Sequence, residues 1–228
     1  MVETQEKLLK ILSDVLWQKT PEHTYSSQEW ETILPVAEDQ GVLYLVLQGC
    51  TSIRQQFSAA SWLKWRSKLI STMLNNETLM AAQSRIIGEM QAEIIPCAVL
   101  KGASLAVCYA NPSARALGDI DLLVPRQFVE QASDILVSQG YHAPQESFAH
   151  PYHIDFYKNG IVVELHYAVS AFPDSPTGAE AKRHMHAWQE QLRQKHIGNH
   201  TFPCLSDSHQ ALSLLLHMER HMTTGCIG

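Results

Sequence analysis

Residues 115–125 read RALGDIDLLVP, and the fold turns on how this stretch is understood. Ile120, Leu122, Leu123, Val124 and Pro125 read as a strand entering a core, yet Asp119 and Asp121 stand two apart at its mouth. Side chains alternate across a strand, so both aspartates share one face while Ile120, Leu122 and Val124 take the other. Their Cβ atoms would then be roughly 6.5–7 Å apart. At an effective dielectric of about 20, two such charges repel by roughly 2–2.5 kcal/mol. Something must offset that: a turn cap, an arginine such as Arg115 or Arg126, or a cation.

Downstream, YHIDFYKNGIVVELHYAV (152–169) is the clearest local signal in the chain. Two alternating runs flank Asn159-Gly160, the dipeptide that a type I′ hairpin turn demands. In its second run Ile161, Val163 and Leu165 face one way, and Glu164 and His166 the other. If the hairpin pairs beside the Asp119 strand, Glu164 joins the two aspartates. Three carboxylates on strands make a hard-oxygen site suited to Mg²⁺ or Mn²⁺ alongside substrate phosphates. His166, on the Glu164 face, either orients that carboxylate or is a satisfied core histidine.

Upstream, IIPCAVLKG (94–102) is a short branched apolar run ending in glycine, read as a strand. The helix pattern ASLAVCYA (103–110) and the loop NPSARALG (111–118) follow. Gly102 lets a phosphate approach the backbone, and a helix start carrying Ser104 favours an anion. Lys101 and Arg115 are placed to add positive charge. Beyond the DIDLLVP strand, RQFVEQASDILVSQG (126–140) is an amphipathic helix stopped by Gly140.

On either side the texture is helical. Leu8, Leu9, Ile11, Leu12, Val15 and Leu16 form one helical face, and apolar residues from Trp62 to Met90 mark a long helix or a broken pair over 59–92. After FPDSP (172–176) helices are expected over 177–196 and 206–222. The reading is therefore α+β: a small mixed sheet in the order β-α-β-α-β-β, flanked by N-terminal and C-terminal helices. The expected divisions are 1–92 helical, 93–170 the core, and 171–228 helical.

The 228 residues carry 45% apolar and 18% charged side chains, as an ordinary globular protein does. A net charge of −6 disfavours a nucleic-acid coat. No apolar run nears the roughly 18 residues that span a bilayer. The N-terminal MVETQEKLLKILSDVLW does not read as a signal peptide. Five scattered cysteines without C-x-x-C fit reduced thiols in a cytoplasmic protein.

VLKGASLAVCYANPSARALGDIDLLVP, followed by helix, hairpin and VVELH, resembles the DNA polymerase beta-type nucleotidyltransferase superfamily. More narrowly, it resembles an uncharacterised bacterial branch with the pattern L-K-G…R…D-I-D-L-L-V…[DE]-L-H. The likeness runs from about Ile94 to the helix SDSHQALSLLLHMERHM (206–222). It implies that Asp119, Asp121 and Glu164 are metal-binding and catalytic, and that Lys101, Gly102, Ser104 and Arg115 face nucleotide phosphates. The implied reaction moves a nucleoside monophosphate from an NTP, with ATP expected, to a hydroxyl of a small-molecule or protein acceptor, releasing pyrophosphate. The sequence departs from the superfamily where Ala103 separates Gly102 from Ser104 and where Glu replaces the commoner third Asp. It also stops at TTGCIG, where the branch continues in helix, which leaves open that it is a fragment.

Two other readings compete. A catalytically inactive relative would bind nucleotide or a partner as a regulator, and a helical interaction domain would carry a purely structural D-x-D. His217 and His221, four apart in HMERH, have a spacing that can bind Zn²⁺, but no third ligand is assignable and helix packing is the simpler role. His150 and His153 belong to the approach to the hairpin, within reach of the site's rim.

Overall fold

The computed structural model describes residues 2–17, 19, 24–49 and 51–224. The role of His217 and His221 as packing histidines falls outside the described residues, because the His221 side chain is not among them. Four helices come first: α1 (Val2–Leu16), α2 (Ser27–Asp39), α3 (Leu43–Gly49) and the long α4 (Ala59–Ala92). Then follow β1 (Ala98–Val99), α5 (Ala103–Ala106), β2 (Ile120–Leu123), α6 (Val129–Ser138), β3 (His153–Lys158) and β4 (Ile161–His166). The chain continues through α7 (Pro176–His186), β5 (Arg193–Ile197), β6 (His200–Cys204) and α8 (Asp207–Thr224).

Two units pack separately, one of residues 1–77 with 109–116, the other of 78–108 with 117–228. In the first, α1, α2, α3 and the start of α4 enclose Leu8, Ile11, Trp30, Ile33, Leu34, Val46 and Trp65. The start of α2 is held by a reciprocal cap, in which Ser26 Oγ accepts from the Glu29 backbone N–H and the Glu29 carboxylate accepts from the Ser26 N–H. The apolar stripe of α1 is narrower than expected, since Leu9 and Leu16 lie exposed.

The second unit is built on a six-stranded sheet in the order β3-β4-β2-β1-β6-β5. β2 runs parallel to β4, and β1 antiparallel to β2. One face is apolar: Ile120, Leu122, Val124, Val163, Leu165, Ile154 and Phe156 pack with Met80, Ile86, Ile87 and Met90 of α4 and with Ala132 and Leu136 of α6. On the other face, Ala98, Leu100 and Leu123 meet Met185, Trp188 and Leu205. The expected hairpin is present, with Asn159 at φ 50° and Gly160 at φ 79°, the positive pair that a type I′ turn requires.

The helix expected over 177–196 stops at His186, and residues 193–204 form a second hairpin instead. Its two-residue link, Gly198-Asn199, is itself a turn signal. The signal went unread because Arg193, Gln194, Lys195 and His196 show no apolar alternation. They occupy an edge strand, where burial makes little demand on the sequence.

Candidate functional site

The acid-bearing face is set by register. Asp121 lies directly beside Glu164 across the parallel β2–β4 pair, and Glu164 lies opposite Asp155 across β3–β4. Because Ile120 and Leu122 are drawn into the apolar core, Asp119 and Asp121 are turned to the opposite face, where Glu164 already points. Asp119, Asp121 and Glu164 bring one carboxylate oxygen each within 4.8 Å of one another.

Two cationic groups lie among them. Lys101 Nζ is 2.7 Å from Asp121 Oδ1 and 3.8 Å from Glu164 Oε2. His166 Nε2 is 3.1 Å from Asp121 Oδ1 and 3.0 Å from Glu164 Oε2. Asp121 is almost wholly enclosed, and its Oδ2 has no hydrogen-bond partner among the described residues.

The electrostatics follow from burial and crowding. Burial, then the charges of Asp121 and Glu164, pushes the Asp119 carboxyl up to about 6. Burial works the same way on Glu164, but the His166 hydrogen bond and the Lys101 and His166 charges outweigh it and hold this carboxyl well below the usual range. For His166 and Lys101, burial disfavours the charged form, yet their carboxylate partners prevail and raise both. His153 moves the other way, down to about 4, by burial and by the neighbouring His166.

The remaining predicted residues are placed differently. Gly102 has φ 45° and ψ −113°, a conformation that L side chains avoid, so glycine is needed there for the turn out of β1. Ser104 is fully buried, and its hydroxyl donates to the Leu100 carbonyl and approaches Gln210 Oε1 at 3.3 Å. Arg115 belongs to the first unit, where its carbonyl accepts from the Asn76 side chain at 2.9 Å.

Sequence reasoning missed Asp155 and Gln210. Asp155 was already legible as facing the Glu164 side of the hairpin, by alternation from Phe156. Gln210, whose Nε2 donates to the Leu100 carbonyl at 2.6 Å, could be found only in three dimensions.

A cavity of about 810 Å³ opens beyond the C-terminal ends of β2 and β4, lined among others by Arg126, Tyr152, Tyr167, Lys182 and Trp188. The Arg126 guanidinium sits 5.0 Å over the Tyr167 ring. None of the three acids lines this cavity. Their claim to a role rests on charge and register, not on enclosure.

Asp119 at the mouth of β2, Asp121 within it and Glu164 on the parallel neighbour β4 stand as the resemblance to nucleotidyltransferases implies. Residues 26–227 match the model of a family described as uncharacterised nucleotidyltransferases, and the chain belongs to that family. Two solved structures are similar in part. One is a nucleotidyltransferase candidate from Thermotoga maritima, with 14% identity and a TM-score of 0.43 over 62% of this chain and 84% of that one. The other is an antigenic nucleotidyltransferase-like protein from Paracoccidioides brasiliensis, with 17% identity and a TM-score of 0.38 over 56% of this chain and 60% of that one. No curated protein matches the sequence. Among the described residues no helix is long and apolar enough to cross a membrane.

Proposed function

We propose that the chain is a divalent-metal-dependent nucleotidyltransferase of the bacterial branch of the polymerase beta-type superfamily. It moves a nucleoside monophosphate from an NTP, ATP by preference, to a hydroxyl of a small-molecule or protein acceptor in the cytoplasm, with release of pyrophosphate. The observation that carries the reading is the convergence of Asp119, Asp121 and Glu164 on one sheet face within 4.8 Å.

The donor set is all oxygen, and the buried Asp121 Oδ2 without a partner among the described residues is suited to a cation. Asp119, Asp121 and Glu164 would hold Mg²⁺ or Mn²⁺, which would neutralise triphosphate charge and polarise the acceptor oxygen. Lys101, tied to the acids without nucleotide, has three donors on a flexible stem and can turn to a phosphate when a metal takes its place. His166 keeps Glu164 and Asp121 in position by bonding both. The cavity past β2 and β4, with Arg126, Lys182 and two tyrosines, has the size and polarity of an acceptor pocket.

The test is thermal. At ligand about 100 times its Kd, binding adds about 2.7 kcal/mol, so an NTP with Mg²⁺ should raise Tm by about 5–11 °C. The NTP alone should do far less. Asp119→Asn with Asp121→Asn should abolish the metal-dependent part. A double variant that responds like wild type refutes the site.

A second reading, a nucleotide-binding module without transferase activity, draws support from Ser104, whose hydroxyl is buried on Leu100 and not displayed. Pyrophosphate release across a panel of acceptors separates the two. Release with any acceptor removes the second reading, and metal-dependent binding without release across the panel favours it.

A further inference from the structure

A different group of ligands lies on the same sheet face, one strand further out. In the hairpin, His153 is directly opposite His166, and Asp155 directly opposite Glu164. Two adjacent cross-strand pairs on one face form a four-cornered patch, with Cβ atoms about 4.5–5.5 Å apart across the strands. Here the corners are two imidazoles and two carboxylates. His153, Glu164 and His166 each bring one ligand atom within 4.8 Å of the others.

Both imidazoles are more than nine-tenths buried, at 7% and 4% exposure, and the Nδ1 atoms of both have no hydrogen-bond partner among the described residues. Their Nε2 atoms lie beside carboxylates: His153 is 3.1 Å from Asp155 Oδ1, and His166 is 3.0 Å from Glu164 Oε2. The Nε2 atoms thus face the carboxylates, with His166 Nε2 turned to Glu164 itself, so an ion held by the three ligands would take the place of Nε2 protons. A buried histidine elsewhere in the unit leaves neither ring nitrogen unpaired. His209, also buried, bonds Ser206 Oγ at 2.6 Å through one nitrogen and the His184 carbonyl at 2.8 Å through the other.

We infer that the hairpin carries a second metal site, in which His153, His166 and Glu164 take a borderline transition-metal ion of the Zn²⁺ or Co²⁺ class. Two imidazoles and one carboxylate form a three-ligand set that leaves coordination positions open to solvent or substrate. Nitrogen donors favour such ions over Mg²⁺, whereas the all-oxygen group at Asp119 and Asp121 favours Mg²⁺. Glu164 belongs to both groups, so occupancy of the histidine site adjusts the charge that the acid site presents. The site does not depend on nucleotidyl transfer, and it stands or falls on metal binding alone.

The experiment uses the full chain stripped by chelator, titrated with Co²⁺ and followed by visible absorption, with Zn²⁺ added as competitor. Wild type should bind one tight equivalent that millimolar Mg²⁺ does not displace. His153→Asn should weaken this by at least about 10–100-fold, the loss typical when even a residue behind a ligand is changed. Asp119→Asn, which removes a nearby charge but no ligand of this site, should weaken it far less than His153→Asn does. A mutation-independent readout is electron paramagnetic resonance of Cu²⁺ bound to wild type, which should show coupling to two imidazole nitrogens. An oxygen-only signal, a His153→Asn variant that binds Co²⁺ as wild type does, or displacement by Mg²⁺ would each overturn the assignment. None of these results bears on whether the chain transfers nucleotides.

Discussion

Replacing Lys101 by methionine removes a charge and keeps most of the chain length. In the folded protein its ammonium lies 2.7 Å from Asp121 and 3.8 Å from Glu164. At an effective dielectric of about 20, those two attractions amount to about 6 and 4 kcal/mol before desolvation. Each carboxylate pair within 4.8 Å repels by at least about 3.5 kcal/mol on the same scale when both are ionised. Withdrawing one partner from a largely buried ionic group commonly costs about 3–5 kcal/mol net. The metal-free variant should therefore melt about 6–20 °C lower than wild type. Adding Mg²⁺ should recover much of that loss, because the cation no longer competes with the lysine, while the same Mg²⁺ alone changes wild type less. The further rise produced by an NTP should shrink, because its phosphates lose a cation. Differential scanning calorimetry of both proteins, with and without Mg²⁺ and NTP, reads all three effects. A Lys101→Met variant as stable as wild type without metal, or one insensitive to Mg²⁺, refutes the electrostatic account.

Phe156→Ala empties a fully enclosed position on the apolar face of the sheet and should destabilise by about 3–5 kcal/mol, read by urea denaturation. Gly178→Ala should prevent normal packing of α7, because a Cβ there would lie 2.0 Å from the Pro173 carbonyl oxygen; lost solubility or a sharply lower melting temperature would show it. Glu29, hydrogen-bonded by Ser26 and paired with Lys7, has its carboxyl lowered to about 2. A lowered folded value stabilises above the unfolded value of 4.5 and is lost as pH falls through about 2. The urea-midpoint difference between wild type and Glu29→Gln should thus be constant above pH 5 and vanish near pH 2; a difference that persists at pH 2 would sink this reading.

Local patterns were legible where the physics is local. Asn159-Gly160 announced its turn because only residues tolerant of positive φ fit there, and the alternation in IVVELHY separated Glu164 and His166 from the core-facing residues. The polar edge strand Arg193–Ile197 was not legible, since an edge position exposes most side chains and leaves no periodic mark. Nor did the sequence disclose that Ser104 and the Leu100 carbonyl would both meet Gln210, because that residue arrives from more than a hundred positions away.

Chain order alone determined which residues could share a face: pleating places Asp119 with Asp121, and Glu164 with His166, whatever the tertiary context. The parallel register that sets Asp121 beside Glu164, and the antiparallel one that sets His153 against His166, came only with the assembled sheet. So did the placing of Lys101 among the acids. Alternation is a property of one strand, but register is chosen by the packing of whole faces. A slip of one residue would carry Ile120, Val163 and their neighbours out of the core, and the acids into it.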